Sequence, residues 1–260
     1  MVKFTLLDPD LLSLVIPRVL SSHCWVVSTT PNHLLLKLAT LVVSPGDHEI
    51  NYYRVDKRGR KTEIASARNT VKYVPTADDV THQITVEFTP VRNDGVCGEM
   101  VTASSQTISV HPSYCDSIMA AVSQKEVIFP CVISRNSSSD FGKPGEERIL
   151  LLNLEKIKIR LKSDRTLFKT AYAASIKTRC VDDNSFELLF GDSNKVVHLC
   201  SLEKSQPKDL VVLCIRAFIW LRFGRHPLTG NLIEGAPTSD KQLKKWVKNG
   251  SFLSFCNINI

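Results

Sequence analysis

The chain contains 260 residues, of which 43% are hydrophobic and 23% are charged, and its net charge at neutral pH is +7. This composition excludes a disordered or fibrous chain and indicates one or two globular domains, each large enough to bury its own core. The positive charge favours an acidic partner, such as a protein surface, an anionic lipid or a nucleic acid, although solvated lysines account for it equally well.

The sequence shows no pattern typical of a membrane anchor or a secretion signal. Its longest apolar run, residues 210–221, is interrupted by Arg216, whereas a membrane-spanning helix needs roughly 20 apolar residues. Asp8 and Asp10 interrupt the apolar N-terminus, which argues against a signal peptide. The eight cysteines form no Cys-x-x-Cys pair and are expected to be free thiols in a reducing compartment. We therefore expect a cytoplasmic protein.

After a lead-in over residues 1–22, residues 23–112 contain short strands separated by turn residues. The predicted strands are 34–43, 49–55, 62–65, 70–73, 83–89, 100–102 and 106–110. Short strands at this spacing are typical of an immunoglobulin-like β-sandwich.

A pair of aspartates, Asp78 and Asp79, precedes the strand predicted at 83–89. Aspartates at such a position cap backbone amides and reverse the chain, so we predict a turn here. Tyr73, which comes just before Pro75, is expected to bury its ring against the edge of the sandwich. Paired aspartates also act as metal ligands or catalytic carboxylates, but the turn is the favoured interpretation.

The same region carries a resemblance to a known family. The phrases at residues 73–80, 84–95 and 98–99 resemble the immunoglobulin-like repeat of the large microtubule-associated proteins named auxin-induced in root cultures (number nine), found in plants and kinetoplastids. Residues 51–54 stand where those repeats carry an aromatic strand, with Tyr52 replacing their usual tryptophan. The resemblance covers roughly residues 25–110 and implies a cytoskeletal role without catalysis.

Residues 113–225 contain a second series of strands, which ends in an amphipathic helix. The predicted strands are 126–134, 148–153, 156–162, 167–171, 176–181, 185–190 and 195–200, and the helix spans 208–223. Seven strands and a C-terminal helix are the order of a pleckstrin-homology-like barrel, in which the helix would close one open end with Trp220 in the core. We therefore predict a mainly β fold, an immunoglobulin-like sandwich followed by this barrel.

A second resemblance supports this order of domains. Residues 149–174 are similar to the fused immunoglobulin and pleckstrin-homology module at the C-terminus of the plant stomatal closure-related actin-binding protein. It implies that the chain is, or derives from, the C-terminal part of a larger cytoskeletal protein. The two resemblances point to different filaments, so the choice between microtubules and actin stays open.

The candidate binding residues are basic. Residues 156–162 alternate basic and apolar side chains, which places Lys156, Lys158, Arg160 and Lys162 on one face of a strand. This basic stripe is a candidate site for an anionic partner, and a solvated strand face is the alternative. The polar loop over residues 135–147 offers two basic residues against three acidic ones and is a poor phosphate site.

The basic tail, residues 226–260, contains a second candidate set. A short helix is predicted over residues 239–248, in which Lys244, Lys245 and Lys248 could contact an acidic polymer or a membrane. The favoured alternative is that Leu243, Trp246 and Val247 pack this helix onto the barrel or onto a neighbouring chain.

No motif for catalysis, cofactor binding or metal binding is present in the sequence, so we do not expect an enzyme. Nucleic acid is not an expected partner, because the basic stripe alternates with aliphatic side chains rather than aromatic ones. The expected function is a binding or scaffold module in the cytoplasm and cytoskeleton. Tubulin is the favoured partner, with actin filaments, an associated protein and anionic membranes as alternatives.

Overall fold

The computed structural model describes residues 12–15, 23–30, 33–40, 48–92, 94–124, 126–135, 147–191, 196–202, 206–236 and 240–248. Within these residues the strands are β1 (Leu12–Val15), β2 (His23–Thr30), β3 (His33–Thr40), β4 (His48–Val55), β5 (Lys61–Glu63), β6 (Lys72–Tyr73), β7 (Gln83–Pro90), β8 (Val101–Thr107), β9 (Val127–Arg135), β10 (Glu147–Leu152), β11 (Lys156–Leu161), β12 (Thr166–Ala171), β13 (Lys177–Cys180), β14 (Ser185–Phe190) and β15 (Val196–Ser201). The helices are α1 (Pro112–Ser123), α2 (Lys208–Arg222) and α3 (Asp240–Lys248). The predicted mainly β fold class is confirmed, and no helix in this described part is long and apolar enough to cross a membrane.

The chain divides into two compact units, Met1–His111 and Pro112–Ile260. The first unit contains two antiparallel four-stranded sheets, with strand orders β1-β2-β3-β6 and β5-β4-β7-β8. β1 lies in the predicted lead-in and pairs with β2, so this segment supplies an edge strand. β2 is missing from the predicted strands because its apolar and polar residues do not alternate.

The second sheet of this unit forms its core from alternate residues of β4 and β7. Ile50 and Tyr52 of β4 face inwards beside Ile84 and Val86 of β7, and all four side chains are buried. The Tyr52 hydroxyl donates a hydrogen bond to the carbonyl of Thr70 at 3.1 Å. Burial raises the pKa of Tyr52 to about 12. Tyr52 therefore fills the core at the position where the resembling repeats carry a tryptophan.

The prediction of two separate strands at 100–102 and 106–110 is wrong, because β8 occupies this region. It is one continuous strand in which Ala103 and Ser105 are buried and their neighbours are exposed. The small side chains at both inward positions weaken the hydrophobic signal, which is why the alternation could not be recognised in the sequence.

A buried carboxylate organises the end of this sandwich. The side chain of Asp79 is 0% exposed, and its Oδ1 accepts a hydrogen bond from the Arg54 Nε at 2.6 Å. Its Oδ2 accepts from the Tyr73 hydroxyl at 2.7 Å and from the Thr76 amide at 2.6 Å. Thr76 also caps the 3-10 turn Ala77–Asp79, so the predicted turn is confirmed. The sequence did not predict the ion pair with Arg54.

We expect the substitution Asp79→Ala to destabilise the first unit by about 3–5 kcal/mol, because it removes one partner of a buried ion pair. Hydrogen exchange of the β4 and β7 amides in the intact chain measures this loss. The matched substitution Asp78→Ala removes a half-buried neighbour whose charge acts on Arg54 more weakly than that of Asp79, and it should cost less than about 1 kcal/mol. Equal effects of the two substitutions would contradict the assigned role of Asp79.

The second unit contains one antiparallel seven-stranded sheet, with strand order β12-β11-β10-β9-β15-β14-β13. Each strand lies within one residue of its predicted bounds. Helix α2 packs against β13 and β14 and also against α1, so buried side chains surround most of its axis. Arg216 connects α2 to β13, because its Nε donates to the Thr178 Oγ1 at 2.8 Å.

The predicted position of Trp220 in the barrel core is wrong. Trp220 is half-buried, whereas Phe218 and Leu221 of the same helix are fully buried. The Trp220 ring lies against Gly230, where a Cβ atom would come within 3.1 Å of it. Because α2 is covered on two sides by the sheet and α1, Trp220 packs instead against the segment that follows the helix.

His226 holds the turn of that segment together. Arg225 and Leu232 form an antiparallel bridge, and the His226 Nδ1 accepts hydrogen bonds from the amides of Leu228 and Thr229, both at 3.2 Å. These two bonds require an unprotonated Nδ1. Burial lowers the pKa of His226 from its ordinary value of 6.5, which favours the neutral imidazole.

Acidification should therefore destabilise this segment. The contribution of His226 to stability is complete above pH 6.5 and is lost as the pH falls through its lower folded-state pKa. Titration of the His226 ring protons by NMR measures that pKa directly. In His226→Asn, the amide oxygen can accept the same bonds without titrating, so the loss of stability in acid should shrink. A pKa at or above 6.5 would contradict this prediction.

Candidate partner-binding surface

The net positive charge of the chain lies entirely in the second unit. Met1–His111 contains 11 basic and 11 acidic residues, whereas Pro112–Ile260 contains 22 basic and 15 acidic residues. Within the second unit the surplus is concentrated further, because residues 156–169 contain six basic residues and one acidic residue. These residues form β11 and most of β12, which pair at one edge of the sheet. An acidic partner would therefore be attracted to this part of the sheet.

β11 separates its apolar and basic residues onto two faces. Ile157 and Ile159 are fully buried, while Lys156, Lys158 and Arg160 alternate with them and lie half-buried on the opposite face. This separation follows from the period of two along a strand. The fourth residue of the predicted stripe, Lys162, lies just beyond the strand and is exposed.

Carboxylates already contact three of these four cations. The Lys156 Nζ lies 3.6 Å from Glu155, and the Arg160 Nη1 lies 3.1 Å from Asp164. Lys162 forms an ion pair with Glu147. In all three pairs the acidic side chain is well exposed, and exposed ion pairs contribute only about 0–1 kcal/mol each. These contacts can therefore be exchanged for contacts with a partner at small cost.

A fifth basic residue joins the site through strand pairing. The register of β11 and β12 places Lys169 directly opposite Lys158. Within the described residues, neither lysine has a carboxylate partner. We name the surface formed by Lys156, Lys158, Arg160 and Lys169 the basic face. Sequence reasoning missed Lys169 because its place depends on the pairing of two strands, although the density of basic residues along 156–169 could have indicated it.

The second predicted set of lysines lies on a separate helix. In α3, Lys245 is exposed, Leu243 is buried and Trp246 is half-buried, and the helix packs against α1. The side chains of Lys244 and Lys248 lie outside what the structure describes. The burial of Leu243 and the packing of α3 against α1 agree with the prediction that this helix packs onto the domain.

Two further predictions concern other kinds of site. The polar loop over residues 135–147 lies mostly outside the described residues. Among the residues whose positions are described, no group of three or more His, Cys, Asp and Glu side chains is arranged to hold a metal ion.

Comparison with known domains identifies the class of the first unit. Residues 43–105 match the family model of the AIR9 A9 domain, which is immunoglobulin-like. This range contains the core strands β4 and β7 and the Arg54–Asp79 ion pair. The predicted immunoglobulin-like resemblance is therefore confirmed over residues 43–105.

Comparison with curated proteins extends the similarity beyond that domain. Over 156 residues the chain is 25% identical to the 187-kDa microtubule-associated protein AIR9 of Arabidopsis thaliana. The match covers 56% of this chain, which is longer than the first unit and so extends into the second. It spans only 9% of the relative's length. The predicted resemblance to this family is confirmed, whereas the resemblance to the actin-binding module stays a prediction.

The like-charged pair of Lys158 and Lys169 should make the second unit less stable than it could be, because like charges directly opposite in a sheet repel. We expect Lys169→Thr to raise the free energy of unfolding by about 0.2–1 kcal/mol at low salt. Salt should reduce this gain by screening the repulsion. Urea unfolding at two ionic strengths measures both effects.

Lys177→Thr is the matched control, because Lys177 is an exposed strand residue opposite Leu189 rather than opposite a charge. It should change stability less, and its effect should not depend on salt. If both substitutions raised the free energy of unfolding equally, strand propensity alone would explain the effect, and the proposed repulsion would be contradicted.

Proposed function

We propose that this chain is a non-catalytic module of a cytoskeletal protein and that it binds microtubules through its second unit. The observation that carries the proposal is the separation of charge between the two units. An immunoglobulin-like unit with no net charge is joined to a unit that carries the entire surplus of +7. The similarity to a relative named as a microtubule-associated protein supports a filament as the acidic partner.

The exposed cations of the first unit support a scaffold role for that unit. Arg60 pairs with Asp56, Lys61 with Glu87 and Arg68 with Glu63, so neighbouring carboxylates neutralise the basic side chains around β5. A surface of balanced charge attracts an acidic polymer weakly at long range. In the proposed function this unit provides a rigid body, and the second unit provides the electrostatic contact.

We infer that the second unit is a pleckstrin-homology-like barrel. The order of its strands supports this inference, because the series β9 to β12 and the series β13 to β15 each form a meander, and the two meet where β9 pairs with β15. The helix α2 follows the last strand and packs against β13 and β14, as expected of a closing helix. In such a barrel the outer face of β11 and β12 is available to a partner.

The contact would be electrostatic and therefore sensitive to salt. At physiological ionic strength, exposed charges act over about 8 Å, and each contact adds little free energy by itself. Several cations on one rigid sheet act together, raising the association rate and holding the partner in one orientation. The proposed module would therefore bind an acidic filament reversibly in the cytoplasm.

Co-sedimentation of the purified chain with stabilised microtubules tests this function, with actin filaments as the parallel sample. We expect the chain to pellet with microtubules at low salt and to be released as the salt concentration rises. Pelleting with actin alone would assign the module to the other filament. Failure to pellet with microtubules, or binding that is indifferent to salt, would contradict the proposal.

Binding to an anionic membrane is a second candidate function. It is favoured by Ile128, a 46% exposed side chain in the same row across the sheet as Lys158 and Lys169, with the buried Leu151 between Ile128 and Lys158. An exposed apolar side chain on the same sheet face as a group of cations suits the boundary between lipid headgroups and acyl chains. Flotation with phosphoinositide-containing and neutral vesicles tests this candidate. Unchanged flotation after charge reversal at Lys158 would remove it.

A further inference from the structure

We propose that the basic face binds an extended, acidic segment of polypeptide that lies along β11, with alternate carboxylates contacting Lys156, Lys158 and Arg160. Lys169 flanks the middle of this row from β12. The inference deepens the proposed function, on which it rests, by naming the chemistry of the partner and the side chains that recognise it. It requires no cofactor and no covalent step.

The spacing of the cations favours a peptide over a single phosphate group. Side chains on one face of a strand recur every two residues, which is roughly 6.6–6.8 Å. An extended acidic peptide has the same repeat, so its carboxylates can align with successive cations of β11. A phosphate group needs several donors that converge on it within hydrogen-bond distance. The row of Lys156, Lys158 and Arg160 is linear and does not provide that convergence.

The carboxylates that pair with the row in this structure indicate which chemical group a ligand would present to it. Glu155 and Asp164, which pair with Lys156 and Arg160, lie in the turns on either side of the strand. The side chain of Asp164 is 80% exposed, so a carboxylate of a partner can replace it without loss of burial. Acidic groups thus already bind both ends of the row. A carboxylate of the partner would therefore gain the most binding free energy at the centre of the row.

Lys158 and Lys169 occupy that centre. They repel each other across the two strands, and within the described residues no carboxylate relieves the repulsion. An acidic side chain placed over both lysines would convert a repulsive contact into two attractive ones. The attraction should therefore depend on these two residues more than on other exposed lysines of equal charge.

Fluorescence anisotropy with a labelled oligoglutamate peptide of about ten residues tests the inference, since such a peptide outreaches the six-residue strand β11. The intact chain is used, with the oligoglutamine peptide as the uncharged control. We expect Lys158→Glu or Lys169→Glu to weaken binding by about fivefold or more at low salt. Each reversal turns the like-charged pair into an oppositely charged one, so the variants should remain folded.

Two matched controls make the same change of charge elsewhere. Lys72→Glu in β6 and Lys177→Glu in β13 alter exposed residues outside the basic face. Both should leave binding within about twofold of the unmodified chain. Equal weakening by all four substitutions would overturn the inference, because the peptide would then respond to net charge alone.

A substitution that strengthens binding completes the test. Asp164 has a φ of +65°, a conformation that asparagine also tolerates, so Asp164→Asn keeps the turn and releases Arg160 from its ion pair. We expect this variant to bind the peptide a few times more tightly at low salt. Unchanged or weaker binding would contradict the proposed contact with Arg160.

Failure of the inference can be distinguished from failure of the proposed function. If the chain pellets with microtubules and Lys158→Glu pellets equally well, the inference is overturned and the proposed function stands. If the peptide binds through the basic face but the chain does not pellet, the inference stands and the proposed function fails. Binding to phosphoinositide vesicles without binding to oligoglutamate would overturn the inference in favour of a lipid.

Discussion

The first unit depends on a carboxylate that water cannot reach. Asp79 accepts hydrogen bonds from Arg54 of β4 and Tyr73 of β6, and these strands belong to different sheets. One buried charge therefore joins the two layers of the sandwich at the turn that separates β6 from β7. A buried charge is tolerated only when ionic and hydrogen-bond partners replace water, so these side chains must form the cluster together.

The second unit is held together in a different way, by apolar burial around one helix. α2 contacts β13 and β14 on one side and α1 on another, and Ile157 and Ile159 on the inner face of β11 are also fully buried. Because the apolar residues of β11 point inwards, the alternate residues of the same strand must point outwards. The arrangement that builds the core therefore also displays the row of cations.

The two units differ in how charge affects their stability, and this difference relates stability to the proposed binding. The unit with no net charge contains an ion pair with a fully buried carboxylate, whereas the unit with surplus charge displays a repulsive pair of lysines. Repulsion on a surface is tolerated because water and salt screen it, and a partner of opposite charge relieves it further. A small loss of stability at Lys158 and Lys169 is thus compatible with a role in recognition.

The sequence by itself determined the mainly β class, the seven strands of the second unit and the turn at Asp79. These features depend on the alternation of residues and on local capping, which neighbouring positions encode. Only the tertiary structure decided that Lys169 stands opposite Lys158, that Arg54 neutralises Asp79, and that Trp220 lies outside the core. Each of these contacts depends on the pairing of strands or on the surfaces that cover a helix. The local periodicity of the sequence does not encode these contacts. It determines which face of an element is apolar, but it does not determine which other element packs against that face.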